Sequence, residues 1–344
     1  MLFVKNRIYN VPIISIIIPT LNEEAYIQSC LDSILKSDYD KDHMEILIID
    51  GMGSDQTKVI ASTYAQKYDF IHVIDNPERI VPIAMNMGLK CAVGEYIVRL
   101  DAHAKYPRDY FSKLITWHQR LDADNVGAVI RTEVKHCTSR SIAIKKVLSS
   151  RFGVGNSDFR VGVDTPKEVD TVPFGCYKKE VFEKYGYYDE RLVRNQDIEL
   201  NKRIINNGGK IYLLPDIQCT YYARETLKDL AKNNYANGLW NILTAHYTGS
   251  LHSLSLRHFI PLLFVLSLLM PLLLSLWMPR LLWLSVFSLF SYSTLVIIIT
   301  LKLRDKQTTL WDLVTTFLTL HLSYGVGSLV GMFQVAVKYI KGEK

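Results

Sequence analysis

Apolar residues occur along the first part of the chain in short runs separated by amphipathic segments. The runs at 13–18, 45–49 and 71–75 are rich in isoleucine and valine, and each stops at polar, glycine or proline residues. Such runs are typical of strands buried on both faces of a parallel sheet. The segments after the first two runs, 23–37 and 56–68, place apolar residues at helical spacing. The pattern predicts an α/β domain with a Rossmann-like, mostly parallel sheet.

Long apolar runs begin at residue 259. Segments 259–277 and 281–303 each approach the ~20 residues that a helix needs to cross the hydrocarbon core, and the short turn between them predicts a hairpin. A third segment, 311–339, carries small residues and His321. We expect it to cross once or to form a re-entrant hairpin near Tyr324. We expect His321 to pack against a neighbouring helix rather than to bind a lipid headgroup.

Acidic residues divide the chain. Asp and Glu are frequent up to Glu225 and nearly vanish between Asp229 and Asp305. Segment 227–255 keeps polar residues at helical spacing, which favours an amphipathic helix on the membrane surface, although a core helix has the same pattern. The predicted parts are therefore a soluble α/β domain at 1–225, interfacial helices at 226–257 and a transmembrane region of two to three spans at 258–344.

The composition limits the cellular compartments and the classes of partner that fit this chain. The formal net charge is +6, which suits an anionic membrane surface, and no basic cluster with interleaved aromatic residues indicates nucleic acid. The five cysteines are scattered without paired spacing, which argues against a zinc site and for a reducing compartment. Residues 1–10 contain no apolar run of signal-peptide length, and a basic loop at 302–306 follows the second span. By the positive-inside rule, we expect a multi-pass protein of the inner (cytoplasmic) membrane whose α/β domain faces the cytoplasm.

Polar residues follow the first predicted strand. Pro19 ends its ladder, and Thr20, Asn22 and Glu23 come next. Because open α/β sheets bind ligands at the carboxyl ends of their strands, we expect these residues to meet the base and ribose of a nucleotide. For Asn22, capping the next helix is an equal alternative.

Asp50 and Gly51 open the turn after the second strand, and Gly53 follows. Two glycines allow the backbone to approach a ligand closely, and Asp50 can accept a hydrogen bond from a uracil or guanine N–H or from a ribose hydroxyl. We interpret Ser54 and Asp55 as caps of the next helix. Neither strand is followed by Gly-x-Gly-x-x-Gly or a Walker motif, which removes the main support for a dinucleotide oxidoreductase or a phosphate-loop NTPase.

Two further candidates lie between the second strand and the fourth. Arg79 follows the third strand, where it can contact a diphosphate or remain a solvated loop residue. Asn86 stands on a helix predicted at 81–92, and we expect that helix to bring it towards the ligand edge of the sheet.

The stretch 94–103 ends in a pair of candidate metal ligands. A short strand at 96–100 is followed by Asp101 and His103. Alternate residues of an extended chain point to the same side, so both side chains can reach one cation and the oxygens of a diphosphate. An Asp-x-His triplet alone is also common among ordinary loop residues, and the metal interpretation depends on the other motifs.

Four stretches in order resemble the family-2 inverting glycosyltransferases with the GT-A fold. They are Ser-Ile-Ile-Ile-Pro-Thr-Leu-Asn-Glu-Glu at 15–24, Asp-Gly-Met-Gly-Ser-Asp at 50–55, Asn-Met-Gly with Gly-Glu-Tyr within 86–96, and Arg-Leu-Asp-Ala-His at 99–103. The resemblance covers about 13–240. Within the family, the Asp-Ala-His variant and the apolar tail resemble the succinoglycan-type glucosyltransferases, which extend polyprenyl-diphosphate-linked sugars.

The resemblance implies a mechanism and its partners. Asp101 would contact the diphosphate of a nucleotide-sugar donor, expected to be a UDP-sugar, and would bind Mn²⁺ or Mg²⁺ together with His103. The family has Asp at the last position of this motif, and His there leaves the identity of the metal open. Asp197 aligns with the family's catalytic base, although an acid near a helix start can also be a capping partner. The acceptor would be a lipid-linked glycan at the membrane. The resemblance leaves open whether the protein forms a homo-oligomer.

Two rival functions remain. A processive polysaccharide synthase would carry Gln-x-x-Arg-Trp where this chain has Tyr-Ala-Asn-Gly-Leu-Trp at 235–240. Only the tryptophan matches, which favours the addition of a single sugar. The other rival is a catalytically inactive subunit that binds a nucleotide sugar and scaffolds an envelope complex.

Overall fold

The computed structural model describes residues 13–155, 157–249 and 255–342. The segment 1–10 and Lys344 therefore lie outside the described residues. The strands are β1 Ile14–Thr20, β2 Met44–Asp50, β3 Ile71–Asp75, β4 Tyr96–Arg99, β5 Ala104–Lys105, β6 Asn125–Glu133, β7 Lys167–Glu168, β8 Cys176–Lys178 and β9 Ile211–Tyr222. The helices are α1 Ile27–Leu35, α2 Thr57–Lys67, α3 Val81–Cys91, α4 Tyr110–Leu121, α5 Ser139–Leu148, α6 Arg151–Val154, α7 Asp158–Val161, α8 Glu180–Tyr185, α9 Gln196–Asn206, α10 Leu227–Thr248, α11 Ile260–Leu274, α12 Leu282–Leu303 and α13 Leu310–Lys341.

One mixed sheet contains the nine strands of the described chain, in the order β3-β2-β1-β4-β8-β6-β9-β5, with β7 paired to β9. The pairs β2–β3, β1–β2 and β1–β4 are parallel, and β8 runs antiparallel to β4 and β6. The register pairs Thr20 with Asp50 and Asp50 with Asp75. The carboxyl ends of the first three strands therefore meet at one edge, as the apolar runs predict.

The helix after β1 is shorter than its apolar stripe predicts. It begins at Ile27 rather than at residue 23, because residues 23–26 form a turn in which Tyr26 and Ile27 donate their backbone N–H groups to the carbonyl of Glu23. Asn22 does not cap this helix: its φ is 57°, in the left-handed region, and its side-chain oxygen accepts from the backbone N–H of Ser54 at 2.9 Å. The amide therefore links the loop after β1 to the loop after β2.

The chain forms two compact units. The first contains residues 13–129, 163–190 and 203–220, and the second contains 130–162, 191–202 and 221–342 apart from the gaps given above. Two segments from before residue 225 thus group with the C-terminal helices, and the domain boundary expected at residue 225 stays a prediction. The first unit has a core of fully buried isoleucines from β1 and β2, which contribute by burial of apolar surface.

The second unit is built around α10 and α13, which pack closely through small residues. A side chain at Gly238 would collide with the carbonyl of Tyr324, and one at Gly327 would collide with the carbonyl of Tyr235. Small residues at such contacts allow two helix backbones to approach. A second apolar cluster joins α5, α10, α12 and α13, with Ile144 and Phe317 fully buried.

Three segments in the described chain are long and apolar enough to cross a membrane: Leu256–Leu274, Pro279–Leu303 and Leu310–Lys341. The re-entrant hairpin considered for the third segment is wrong, since α13 continues unbroken through Tyr324. The expectation that His321 packs against a neighbour is confirmed. One imidazole nitrogen lies 2.9 Å from the Tyr292 hydroxyl, and the other lies 3.1 Å from the carbonyl oxygen of Phe152.

Candidate active site

A cavity of about 220 Å³ opens at the carboxyl ends of β1, β2 and β4 in the first unit. Seven of the predicted site residues line it: Pro19, Thr20, Glu23, Gly51, Arg79, Asp101 and His103. The edge of an α/β sheet is where the strand order and loop geometry place ligands in such folds. The sequence therefore located the cavity, and its walls come from loops that are far apart along the chain.

Asp101 and His103 face each other across the cavity wall. The His103 Nε2 atom lies 4.0 Å from Asp101 Oδ2, and both side chains remain about a quarter exposed, at 28% and 25%. Because a divalent cation lies about 2.1 Å from each ligand atom, two atoms at this separation can reach one ion. No group of three or more His, Cys, Asp or Glu side chains with metal-binding geometry occurs among the described residues. Asp101 and His103 would therefore hold such a cation, and a bound diphosphate and water would supply its other ligands.

Glu23 orients the imidazole of His103. Its carboxylate lies 3.2 Å from His103 Nδ1 and can only accept, so Nδ1 is the donor, and Nε2 is the nitrogen on the side of Asp101. Metal-binding histidines commonly donate their second nitrogen to a carboxylate in this way, which fixes the ring and its tautomer. Sequence reasoning placed Glu23 at the base and ribose, and the geometry gives it a second task next to the candidate metal.

The sequence analysis missed the residues that hold Asp101. The Tyr106 hydroxyl accepts from the Asp101 N–H at 3.0 Å and donates to the Asp101 carbonyl at 3.0 Å. The Arg99 guanidinium lies 3.3 Å from Asp101 Oδ1. Cys30 lies beneath the loop, and burial, with the charges of Asp101 and Glu23, raises the pKa of its thiol. The Cys30 thiol therefore stays neutral.

The loops that follow the first three strands contain strained backbone. Asn22, Met52 and Arg79 follow β1, β2 and β3 and have φ values of 57°, 52° and 60°. A non-glycine residue in this region costs on the order of 1 kcal/mol or more. The left-handed residue of the second turn is thus Met52, whereas Gly51 and Gly53 are needed for close approach to the neighbouring loop. The guanidinium of Arg79 donates to the Met52 carbonyl at 3.1 Å, and this bond links the loop after β3 to the loop after β2.

Three predicted contacts of the nucleotide do not line the cavity. Asp50 is fully buried and accepts from the Thr20 hydroxyl at 3.1 Å and from the Met52 N–H at 2.9 Å. Asn22 forms the loop contact described above. Asn86 is buried; its side-chain amide donates to the carbonyl of Tyr188 at 2.9 Å and accepts from the backbone N–H of Tyr188 at 3.0 Å. These residues position the loops that form the site.

Asp197 belongs to the second unit, in the first turn of α9. Its Oδ1 atom accepts from the backbone N–H of Ile198 at 2.9 Å, and the side chain is partly exposed. The preceding Asn195 is left-handed, with a φ of 61°, and its amide donates to Asn241 on α10 at 2.8 Å. A helix N-terminus favours an ionised carboxylate, and the role of Asp197 as a base remains a prediction.

Comparison with known proteins identifies the family. Residues 15–186 match the model of glycosyl transferase family 2, and the chain belongs to this family. It is 34% identical over 233 residues to a dolichyl N-acetyl-α-D-glucosaminyl phosphate 3-β-D-2,3-diacetamido-2,3-dideoxy-β-D-glucuronosyltransferase of Methanococcus voltae, covering 65% of this chain and 71% of that protein. It is 29% identical over 217 residues to succinoglycan biosynthesis protein ExoA of Rhizobium meliloti, covering 62% of this chain and 64% of that protein.

Solved structures establish the fold. The mannosyltransferase PcManGT of Pyrobaculum calidifontis, in complex with GDP-Man and Mn²⁺, aligns over 92% of this chain and 87% of its own with a TM-score of 0.60 and 18% identity. The residue 1–349 fragment of S. aureus TarS, in complex with UDP-GlcNAc, aligns over 96% and 92% with a TM-score of 0.53 and 18% identity. The expected GT-A fold with C-terminal apolar helices is confirmed.

Proposed function

We propose that this protein transfers a single sugar from a nucleotide-diphosphate donor, a UDP-sugar, to a polyprenyl-diphosphate-linked glycan at the cytoplasmic face of the inner membrane. The observation that carries the proposal is the cavity in which Asp101 and His103 face one another beside Arg79. The M. voltae relative is named for transfer to a lipid-linked sugar and the R. meliloti relative for polysaccharide synthesis, which supports an acceptor of the same class.

The donor half of the site meets the charge of a nucleoside diphosphate. A divalent cation held by Asp101 and His103 would offset the negative charge that develops on the leaving group. Arg79 adds a fixed positive charge at the cavity wall, and Thr20 lines the cavity while its hydroxyl donates to Asp50. Charged groups prearranged around a leaving group lower the barrier because they need little reorganisation during the reaction. PcManGT and TarS were solved with GDP-Man and UDP-GlcNAc, which supports a nucleotide sugar as the donor.

The acceptor half needs a base. Inversion requires the acceptor hydroxyl to attack the anomeric carbon from the face opposite the nucleotide while it loses its proton. We assign Asp197 to this step: its carboxylate takes the proton, a new glycosidic C–O bond forms, and the bond to the nucleoside diphosphate breaks. Gln196 stands beside it, where the family pattern has Glu, and this change removes a charge without removing the base.

The test uses the full chain in detergent with radiolabelled UDP-sugars, a prenyl-diphosphate-linked glycan and Mn²⁺. We expect one sugar to be added, with inversion at the anomeric carbon and with loss of turnover on chelation of the metal. A long product would show a processive synthase. Binding of UDP-sugars without turnover of any donor would show a non-catalytic subunit, and both results contradict the proposal.

A further inference from the structure

One face of α10 carries three asparagines at a spacing of four residues: Asn233, Asn237 and Asn241. Residues four apart in a helix are neighbours on its surface. Asparagine is a weak helix former, because its side chain competes for backbone hydrogen bonds. The partners of these three side chains lie outside the helix, in the segment 191–195, which directly precedes α9 and belongs to the same unit.

Each of the three asparagines accepts a hydrogen bond from that segment. The Arg194 guanidinium donates from Nη1 to the side-chain oxygens of Asn233 and Asn237, at 3.2 and 2.8 Å. The Asn195 amide donates to the side-chain oxygen of Asn241 at 2.8 Å. Two consecutive residues of the segment are therefore bonded to α10, along about two turns of that helix.

Asn195 determines where α9 begins. Its carbonyl accepts from the backbone N–H of Glu199 at 2.8 Å, at the start of the helix, and its φ of 61° turns the chain into α9. A non-glycine residue in this left-handed region is strained and persists only where its surroundings hold it. Asn241 supplies such a contact. Because Asp197 stands two residues later, in the first turn, the place of its carboxylate depends on the conformation of Asn195.

The C-terminal helices fix Asn241 from its other side. The residue is 1% exposed. Its amide nitrogen donates to the Tyr324 hydroxyl of α13, and also to the carbonyl of His258 at 3.4 Å. A buried amide whose oxygen and nitrogen are both bonded is held in one orientation. Asn241 therefore joins α13 to the residue that begins α9.

We propose that Asn241 is a positioning residue for the base: bonded to Tyr324 on one side and to Asn195 on the other, it fixes the start of α9 and thereby the carboxylate of Asp197. The proposal rests on the proposed function and adds to it a residue that acts through Asp197. A misplacement of a reacting group by about 1 Å can lower a rate by about 10²-fold. Loss of the Asn241 contact therefore slows proton removal and leaves binding of the donor intact.

The experiment compares Asn241→Ala with Asn234→Ala in the full chain in detergent. Asn234 is the matched control, because it is also a buried asparagine of α10 and its amide donates within the helix, to the carbonyl of Leu230 at 2.9 Å. We expect kcat to fall about 10- to 100-fold in Asn241→Ala and to stay near the wild-type value in Asn234→Ala. The affinity for UDP with Mn²⁺ should be unchanged in both variants.

A second comparison separates positioning from general stabilisation of the fold. In an Asp197→Asn background, Asn241→Ala should lower kcat no further, because residues that act as one unit are not additive. Asn195→Gly breaks the same contact from its other end, and glycine adopts the left-handed conformation readily. We expect Asn195→Gly to lower kcat as Asn241→Ala does, and it keeps the test valid if Asn241→Ala does not fold.

Hydrogen exchange reports on the start of α9 without turnover. The backbone N–H of Glu199 should exchange faster in Asn241→Ala than in the wild-type chain, and no faster in Asn234→Ala. Unchanged kcat and exchange in both Asn241→Ala and Asn195→Gly would overturn the proposal. So would an equal effect in Asn234→Ala, or a full further loss in the Asp197→Asn background. Failure of the proposed function appears instead as a wild-type chain without turnover, and exchange at Glu199 then still decides whether Asn241 fixes the start of α9.

Discussion

The contact between Glu23 and His103 gives a quantitative prediction for the metal site. Replacing Glu23 by Gln keeps the size of the side chain and removes its charge. The amide can still accept one hydrogen bond from His103 Nδ1, but it no longer strengthens the basicity of the opposite nitrogen. Changes to the partner of a metal-binding histidine typically lower metal affinity by 10–100-fold. We therefore expect about this loss of Mn²⁺ affinity in Glu23→Gln, equivalent to roughly 1.4–2.7 kcal/mol.

The structure decides where the effect falls within that range. The Nδ1 to Oε1 distance of 3.2 Å is long for a charge-assisted bond, and Glu23 remains 21% exposed. Both features weaken the interaction, so we expect the lower part of the range, about tenfold. Replacement by Ala should exceed it, because the ring then loses its orientation as well as its charged partner.

The assay follows the electron paramagnetic resonance signal of free Mn²⁺ during titration of the full chain, in the presence of saturating UDP. Glu24→Gln is the matched control: it removes the same charge one residue away, from a carboxylate that is exposed and accepts from the backbone N–H of Gln56 at 3.0 Å. Unchanged affinity in Glu23→Gln, or an equal loss in Glu24→Gln, would refute the assigned role of Glu23.

Two other predictions follow from single side chains. Asp197→Asn should lower kcat by 10²–10⁴-fold while the affinities for UDP and Mn²⁺, measured by titration, stay unchanged; a parallel loss of binding would remove Asp197 from the role of base. His118 is buried in the first unit, and burial lowers its pKa to about 4 although the carbonyl oxygens of Cys176 and Ala123 lie within hydrogen-bond distance of its two nitrogens. The unfolded chain, with a histidine pKa near 6.5, gains a proton first, so stability is full above about pH 6.5 and falls by up to ~1.4 kcal/mol per pH unit down to about pH 4. The thermal midpoint should fall between pH 7 and pH 5, and an equal fall in His118→Asn would contradict this assignment.

The sequence predicted what depends on local patterns. The isoleucine runs of β1 and β2 are buried on both faces, and the polar residues after them line the cavity as expected. The strands and their ends follow from the apolar pattern, which is a property of neighbouring residues. For that reason Thr20, Arg79, Asp101 and His103 could be placed at one edge of the sheet without coordinates.

Contacts between distant loops could not be predicted in this way. Asn22 bonds to Ser54 across 32 residues, and Asn86 bonds to Tyr188 across 102 residues. Either side chain would serve equally well as a helix cap or a ligand contact if only its own neighbours were known. The hydroxyl of Tyr106 gives no signal in sequence at all, because its partner is the backbone of Asp101 rather than a motif residue.

The packing within the second unit also bears on how α13 lies relative to a membrane. The helix has 32 residues, or about 48 Å at 1.5 Å per residue, whereas the hydrocarbon core is about 30 Å thick. Its apolar window is 39% buried, against 11% and 17% for the other two candidate spans. Protein therefore covers much of α13, whereas α11 and α12 present their apolar surface outward.

The C-terminal half of α13 lies beside α10 rather than beside the hairpin tip. The Lys338 ammonium donates to the Tyr247 hydroxyl of α10 at 2.6 Å, and α10 also bonds to Arg194 through Asn237. Polar and charged side chains such as Lys338, Asn237 and Arg194 are expensive inside hydrocarbon. We therefore predict that this half of α13 lies outside the membrane, on the side of Arg194.

This placement agrees with the positive-inside rule, because Lys338 and Lys341 then lie on the same side as the basic loop that contains Lys306. The check is labelling with an impermeant maleimide in vesicles of one orientation, after the exposed Cys91 and Cys137 are replaced by Ser. Lys306→Cys and Lys341→Cys should react from the same side, and Met278→Cys, at the tip of the α11–α12 hairpin, from the other. If Lys341→Cys instead reacts together with Met278→Cys, α13 crosses the membrane, and the polar contacts of α10 need another explanation.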